Sequence, residues 1–128
     1  MNVLGVGVDL VDLDRVARLL AHKGEHAMQR FFTDVERAYL ATRPDPTGHA
    51  AARIAAKEAV YKALQALPGA RGVGWREIEV TRDADGRPAI RLYGLAGRLA
   101  AEHGGLQVQV SLTHSATAAG AVAVVGTM

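Results

Sequence analysis

A chain of 128 residues can bury one hydrophobic core but is too short for two, so we expect a single domain over residues 1–128. Hydrophobic residues make up 49% and charged residues 22% of the chain, which excludes a disordered protein. A net charge of only +2 and an aromatic content of 5% argue against a nucleic-acid-binding protein.

The sequence contains no cysteine, which excludes disulfides, thiolate metal sites and a cysteine nucleophile. Any metal must be held by oxygen or imidazole, which favours a hard cation such as magnesium. No apolar run approaches the roughly 20 residues that span a bilayer, and the first residues lack the pattern of a signal peptide. We therefore expect a cytoplasmic protein that does not enter the membrane.

The first predicted element is a buried strand from Val3 to Leu10, in which valines and leucines surround two glycines. Asp9 lies at the end of this strand, a position from which a carboxylate often binds or catalyses. The alternative is that Asp9 only caps the following turn. The glycines do not form a dinucleotide-binding fingerprint, because the third glycine is missing.

A helix is predicted from about Leu13 to His22, with Asp12 as its N-cap. Its apolar positions fall on one face, whereas Arg15 and Arg18 lie on another. We therefore expect the exposed face of this helix to be basic.

Thr33 and Glu36 form a capping-box pattern that begins a short helix, Asp34 to Ala41. Prolines then interrupt the chain, and the longest helical segment runs from about Thr47 to Leu67, where Pro68-Gly69 ends it. We expect this long segment to be the central helix.

The last third of the chain alternates between strands and one helix. A loop is predicted for residues 68–75, followed by a strand at 77–81, a turn at Asp85-Gly86, a strand at 88–93, a helix at 94–103 and strands at 108–113 and 119–125. The predicted fold is therefore α+β, with a mixed, largely antiparallel sheet packed against the long central helix.

Four charged residues in the central helix carry the most functional information, because the positions between them are apolar or small. At about 100° per residue, Arg53 and Lys57 share one face of the helix, and Glu58 and Lys62 share a neighbouring one. The simpler interpretation is an exposed helix face with ion pairs four residues apart.

His114 follows a predicted strand, where an imidazole can meet a phosphate, although most histidines in such positions are structural. No catalytic triad order or glycine-serine elbow surrounds it. A serine hydrolase is therefore not supported.

Taken together, these segments resemble the holo-acyl-carrier-protein synthase family of phosphopantetheinyl transferases over nearly the whole chain. The matching stretches are Gly5-Val6-Gly7-Val8-Asp9-Leu10-Val11-Asp12, Phe32-Thr33 with Glu36, Ala52-Arg53-Ile54-Ala55-Ala56-Lys57-Glu58-Ala59 with Lys62-Ala63-Leu64, and Val110-Ser111-Leu112-Thr113-His114-Ser115. The segment between Arg43 and His49 departs from the usual spacing of the family.

The resemblance implies an enzyme that moves the 4'-phosphopantetheine group of coenzyme A onto a serine of an acyl carrier protein, in fatty acid or polyketide synthesis. It implies that Asp9 and Glu58 are magnesium ligands and that Lys62 meets the phosphates and the leaving group. The same resemblance implies that Arg53, Lys57 and His114 help to hold coenzyme A.

The resemblance also implies partners for this chain. Acyl carrier proteins are acidic, so docking on Arg15 and Arg18 of the first helix is expected, although arginine is common on any exposed helix face. A homotrimer with active sites between its subunits is implied as well. Glu36 matches a glutamate of the family, but the capping box explains it equally well.

Two rival functions remain. A non-catalytic trimeric scaffold would bind a carrier protein or nucleotide without any transfer. A magnesium-dependent nucleotide hydrolase would use the same acids with water as nucleophile, but the phosphate-binding Walker loop is absent.

Overall fold

The computed structural model describes all 128 residues and has an α+β fold, as predicted. In chain order its elements are β1 (Asn2–Asp12), α1 (Leu13–Phe31), α2 (Asp34–Ala41), α3 (Thr47–Leu64), β2 (Ile78–Arg82), β3 (Pro88–Leu92), α4 (Gly94–Glu102), β4 (Gln107–His114) and β5 (Ala118–Thr127). Two short 3-10 helices, Ala70–Gly72 and Trp75–Glu77, lie in the segment predicted as a loop.

All strand pairs are antiparallel, but the strands form two sheets rather than one. The larger sheet has the order β1-β5-β4, and β2 pairs only with β3. No helix of the structure is both long and apolar enough to cross a membrane.

Helix α3 lies directly on the backbone of the larger sheet. Gly5 and Gly7 of β1 face the helix, and a Cβ atom at either position would collide with the carbonyl oxygens of Ala63 and Ala59 respectively. The facing positions of β5 and many of those in α3 are alanines that are fully buried. Small residues on both sides therefore bring the helix axis close to β1, which carries Asp9.

The prediction that β1 is a buried strand was wrong for one of its faces. Alternation along the strand turns Val6, Val8 and Leu10 away from α3, and these residues remain 61%, 67% and 73% exposed. Val122 of the neighbouring strand β5 is exposed on the same face. The chain thus presents an uncovered apolar surface, which we call the outer β face (Val6, Val8, Leu10 and Val122).

Helix α1 is longer than predicted. Asp12 occupies its N-cap position, but its side chain makes no capping hydrogen bond. The helix continues past a kink at Gly24, whose φ of 44° and ψ of −120° suit glycine, and ends at Phe31. Because glycine accepts this conformation, the chain changes direction there and resumes helical structure instead of ending.

Helix α2 has the predicted bounds and its capping box is present. Helix α3 ends three residues earlier than predicted, at Leu64, and residues that follow it form a turn before Pro68. The predicted turn between β2 and β3 is also observed, with Gly86 at a φ of 81°.

Candidate active site

Asp9 and Lys62, which are 53 positions apart in sequence, form an ion pair in the structure. The Lys62 Nζ atom lies 3.1 Å from Asp9 Oδ1 and donates a second hydrogen bond of 3.0 Å to the carbonyl oxygen of Val8. About half of the Lys62 side chain is exposed, whereas the Asp9 side chain is 17% exposed. The lysine is therefore held by β1 but remains accessible to a ligand.

Glu58 completes this group, one turn before Lys62 on helix α3. Its pKa lies above the ordinary value, mainly because of burial and secondly because of the negative charge of Asp9. The positive charges of Lys62 and Arg15 act in the opposite direction and do not cancel these effects. The structure thus brings together Asp9, Glu58 and Lys62 as predicted, with two carboxylates near enough to repel each other.

An apolar cavity opens beside Glu58. It has a volume of about 210 Å³, and its lining includes Tyr61, Val73, Trp75 and Ile78. The 3-10 segment around Trp75 therefore forms one wall of this cavity, opposite helix α3.

No group of three or more histidine, aspartate or glutamate side chains is arranged to hold a metal ion. Asp9 and Glu58 nevertheless fit magnesium by their chemistry, since they are hard oxygen donors whose repulsion a divalent cation would relieve. Two protein carboxylates also suit magnesium, which usually retains several waters and takes phosphate oxygens as further ligands.

Arg53 lies in a second, cationic region. Its Cζ atom stacks 4.2 Å from the centre of the Tyr39 ring, and its Nη1 donates to the carbonyl oxygen of His49. Its Nε atom is buried and has no hydrogen-bond partner. Arg43 and Arg82 also lie over the Tyr39 ring, at 4.9 Å and 5.6 Å.

His49 belongs to the same cationic region. Burial lowers the pKa of His49, and the charges of three neighbouring arginines lower it further. The imidazole is therefore neutral near pH 7, in a position where positive charge already accumulates. Such a region attracts anions.

The predicted residues Arg53 and His114 line one cleft of about 670 Å³, together with His49 and Arg82. This cleft shares no lining residue with the cavity beside Glu58. On helix α3, Arg53 and Glu58 point about 140° apart. Within one chain, the residues predicted to bind coenzyme A therefore lie in two separate places.

The prediction that Lys57 binds coenzyme A does not fit the structure. Its Nζ atom is fully buried and lies 2.6 Å from Glu36 Oε1, 2.9 Å from the carbonyl oxygen of Trp75 and 2.6 Å from that of Ile78. These three acceptors use all three N–H groups of the ammonium. Helical periodicity predicted that Lys57 lies on a charged face of α3, but the fold buries this part of the helix.

Glu36 is also buried, and its role is structural in this chain. Its carboxylate accepts hydrogen bonds from the backbone N–H groups of Thr33 and Val80 in addition to the Lys57 ammonium. The capping-box interpretation of Glu36 is confirmed.

Arg15 and Arg18 lie exposed on α1, as predicted. Arg15 is near enough to Glu58 to influence its pKa. The basic face of α1 thus borders the group formed by Asp9, Glu58 and Lys62.

Sequence analysis missed Arg43, His49 and Arg82. They come from the connection before α3, from the first turn of α3 and from the end of β2, so no local pattern links them. Only their shared contact with Tyr39 or Arg53 identifies them as a group.

Comparison with known proteins identifies the family of this chain. The model of the 4'-phosphopantetheinyl transferase superfamily matches residues 5–122. The holo-acyl-carrier-protein synthase of Syntrophus aciditrophicus is 41% identical over 122 residues, which cover 95% of this chain and 94% of that protein.

Solved structures extend the similarity to three dimensions. The holo-acyl-carrier-protein synthase of Neisseria meningitidis has a TM-score of 0.81 at 30% identity, covering 98% of this chain and 99% of that one. A synthase from Chronobacterium ammoniagenes in complex with coenzyme A has a TM-score of 0.79 at 36% identity, covering 94% and 95%. The chain therefore belongs to the 4'-phosphopantetheinyl transferase superfamily and, within it, to the holo-acyl-carrier-protein synthases.

Proposed function

We propose that this enzyme transfers the 4'-phosphopantetheine group of coenzyme A to a serine of an apo-acyl carrier protein and releases adenosine 3',5'-bisphosphate. The observation that carries the proposal is the convergence of Asp9, Glu58 and Lys62 beside an apolar cavity. The attacking hydroxyl belongs to the carrier protein, so the chain needs no nucleophile of its own. It must hold and neutralise the diphosphate.

Asp9 and Glu58 are the proposed magnesium ligands. Asp9 lies on β1 and Glu58 on α3, and the pKa of Glu58 is raised mainly by burial and secondly by the negative charge of Asp9. When bound, magnesium supplies positive charge that stabilises the diphosphate oxygens. The two carboxylates fix where that charge lies relative to the coenzyme.

Lys62 is proposed to contact the phosphates and to donate a proton to the leaving phosphate. Two of its three N–H groups are used by Asp9 and Val8, and the exposed half of the side chain leaves the third for a ligand. Its two contacts with β1 orient the ammonium before the substrate binds, which lowers the cost of ordering it.

The cationic region around Arg53 is proposed to hold another anionic part of coenzyme A. Arg53, Arg82, His49 and His114 line its cleft. The buried Nε atom of Arg53 lacks a partner, and neutral His49 can gain a proton when an anion approaches. Lys57 is left out of this group because its three donors are used inside the protein.

A homotrimer is proposed from the outer β face. Four exposed apolar side chains lie together on two neighbouring strands, and a surface of this kind is characteristic of protein association. Association also explains the separation of the two anion-binding groups, because the Arg53 cleft of one subunit can complete the Asp9 and Glu58 site of another. Such an arrangement gives a small chain a site long enough for coenzyme A.

Docking of the acidic carrier protein is proposed on Arg15 and Arg18. Arg15 is near enough to Glu58 to influence its pKa, and Arg18 lies about one turn further along the same helix, so a carrier protein bound to α1 has its serine near the diphosphate. We place the reaction in the cytoplasm as part of the same proposal, since a chain without cysteine needs no oxidising compartment.

Intact-mass spectrometry tests the reaction directly. An apo-acyl carrier protein is incubated with the enzyme and coenzyme A, once with magnesium and once with a chelator. We expect a mass increase of one phosphopantetheine group only with metal. No increase with several carrier proteins would contradict transfer and favour the non-catalytic scaffold, whereas release of adenosine bisphosphate without a modified carrier would indicate a hydrolase.

A further inference from the structure

A buried polar network surrounds Lys57 and extends beyond the helix that carries it. The ammonium contacts the Glu36 carboxylate and the carbonyl oxygens of Trp75 and Ile78 at 2.6–2.9 Å. Glu36 in turn accepts from the backbone N–H groups of Thr33 and Val80. The network therefore joins helices α2 and α3 to the start of strand β2.

Burying an ammonium is costly unless every N–H group has a partner and the charge is neutralised. Burial lowers the pKa of Lys57, and the nearby Glu36 carboxylate opposes this effect. Lys57 meets both requirements: the Glu36 carboxylate neutralises its charge, and this carboxylate and two carbonyl groups accept from its three N–H groups. The Lys57 ammonium therefore has no free N–H group for a substrate phosphate.

The two carbonyl groups belong to residues that line the cavity beside Glu58. Trp75 and Ile78 form its far wall, and Lys57 precedes Glu58 in helix α3. The Trp75 ring also packs edge-on against Phe31, with ring centres 4.8 Å apart. The backbone of Trp75 is thus fixed from one side by Lys57, and its ring is fixed from the other by helix α1.

We infer that Lys57 is a positioning residue, which fixes the wall of the cavity next to Glu58 by holding the carbonyl groups of Trp75 and Ile78. It acts on coenzyme A through this wall and makes no contact with the phosphates. The inference rests on the proposed function for its effect on catalysis, but the fixed position of Trp75 is a property of the free protein.

The test uses the double substitution Glu36→Gln and Lys57→Met, which removes both charges and avoids an unpaired buried carboxylate. Trp75 is the single tryptophan, so its fluorescence reports the cavity wall without added labels. In the free variant we expect quenching of Trp75 by acrylamide to increase about twofold, because the two carbonyl groups lose their donor and the segment loosens.

Kinetic constants supply the second readout. We expect the KM for coenzyme A to increase about tenfold while kcat changes less than about twofold, as for a residue that acts through its neighbours. The salt dependence of the KM should equal that of the wild type, because no phosphate contact is removed. Lys62→Met is the matched control, and it should reduce both kcat and the salt dependence.

Three results would overturn the inference. The first is that quenching of Trp75 and the KM for coenzyme A are unchanged in the folded double variant. The second is that this variant loses as much salt dependence as the Lys62 control. The third is that the Lys57 ammonium signal in nitrogen NMR spectra of the wild type shifts when coenzyme A binds. The NMR measurement needs no variant, so it decides the matter if the double variant fails to fold. If the wild type transfers nothing, the proposed function fails, whereas the quenching result still tests the position of Trp75.

Discussion

The Lys62 ammonium is tied to Asp9 at 3.1 Å while half of its side chain stays exposed to solvent. We expect Lys62→Met to reduce kcat by about 10²-fold or more, since the proposed proton donor and phosphate contact is lost. Folding stability should change by less than about 0.5 kcal/mol, because an ion pair with a half-exposed lysine contributes little. Steady-state transfer assays and thermal unfolding check both expectations. Lys23→Met, on the exposed part of α1, is the control, and an equal loss in that variant would contradict the assignment.

Glu58→Gln should separate activity from stability. The pKa of Glu58 lies above its ordinary value of 4.5, so the folded protein holds this proton more tightly than the unfolded chain does. Stability therefore falls as pH rises from 4.5 through the raised pKa of Glu58. Removing the charge should stabilise the metal-free protein at pH 7 by less than about 1 kcal/mol, a limit set by solvent screening.

The same variant should lose transfer by about 10³-fold, because the proposed metal ligand is gone. Thermal unfolding with a chelator and the mass assay with magnesium measure the two effects. Glu102→Gln, at an exposed position of α4, should change neither quantity. Near-normal transfer by the folded Glu58 variant would refute the proposed metal site.

Binding of coenzyme A should raise the pKa of His49. Burial and three arginines lower that pKa in the free protein, so protonation of His49 costs stability as pH falls below its ordinary value of 6.5. An anion in the Arg53 cleft reverses the local charge and favours the protonated imidazole. Affinity for coenzyme A should therefore increase as pH falls through this range.

NMR titration of the His49 ring, with and without coenzyme A, measures this pKa directly. His26, on the exposed side of α1, serves as the internal reference. A His49 titration that does not move on binding would mean that coenzyme A leaves the cleft empty.

Val8→Glu should prevent association of the chain. The Val8 side chain is 67% exposed in the centre of the outer β face, and a carboxylate buried there between subunits would lack a partner. We expect a monomer by analytical ultracentrifugation at micromolar concentration, with transfer reduced at least about tenfold if the site needs two subunits. Val35→Glu is the matched control, because Val35 is a similarly exposed valine on α2. A trimer that survives the Val8 substitution would remove the outer β face as the interface.

Arg18→Glu should weaken carrier-protein docking alone. We expect the KM for the carrier protein to increase about tenfold and its salt dependence to decrease, while the KM for coenzyme A is unchanged. Steady-state kinetics at several salt concentrations measure this effect. Arg98→Glu on α4 makes the same charge change at an exposed position away from α1. Equal effects of the two substitutions would point to net charge rather than to docking.

Sequence patterns predicted the elements whose causes are local. The capping box at Thr33 and Glu36 is a contact between neighbours in the chain, and α2 has the predicted bounds. Helix α1 was predicted too short, because the helix resumes after the kink at Gly24, where Ala27 is buried and Phe31 packs against the distant core.

The same distinction between local and long-range causes applies to the site. Asp9, Glu58 and Lys62 were predicted together through the resemblance to a family, and the contact of Asp9 with Lys62 depends on the close approach of β1 and α3. The burial of Lys57 could not be predicted from helical periodicity, because its partners are Glu36 and two carbonyl groups far along the chain. The exposure of one face of β1 could not be predicted either, since a run of valine and glycine does not say which face is covered.

The glycines of β1 also determine how this strand can evolve. Gly5 and Gly7 leave only hydrogen atoms between the strand and α3, so the backbones of the two elements are in contact. The distance between Asp9 and Glu58 depends on this contact, and exchanging side chains at the two glycines cannot adjust it. A single added methyl group would push the helix from the strand and separate the two carboxylates. The neighbouring valines point the other way and are free to exchange with other apolar residues. In saturation mutagenesis we therefore expect Gly5 and Gly7 to reject every side chain, whereas Val6 and Val8 between and after them accept other apolar residues, a pattern with a period of two residues.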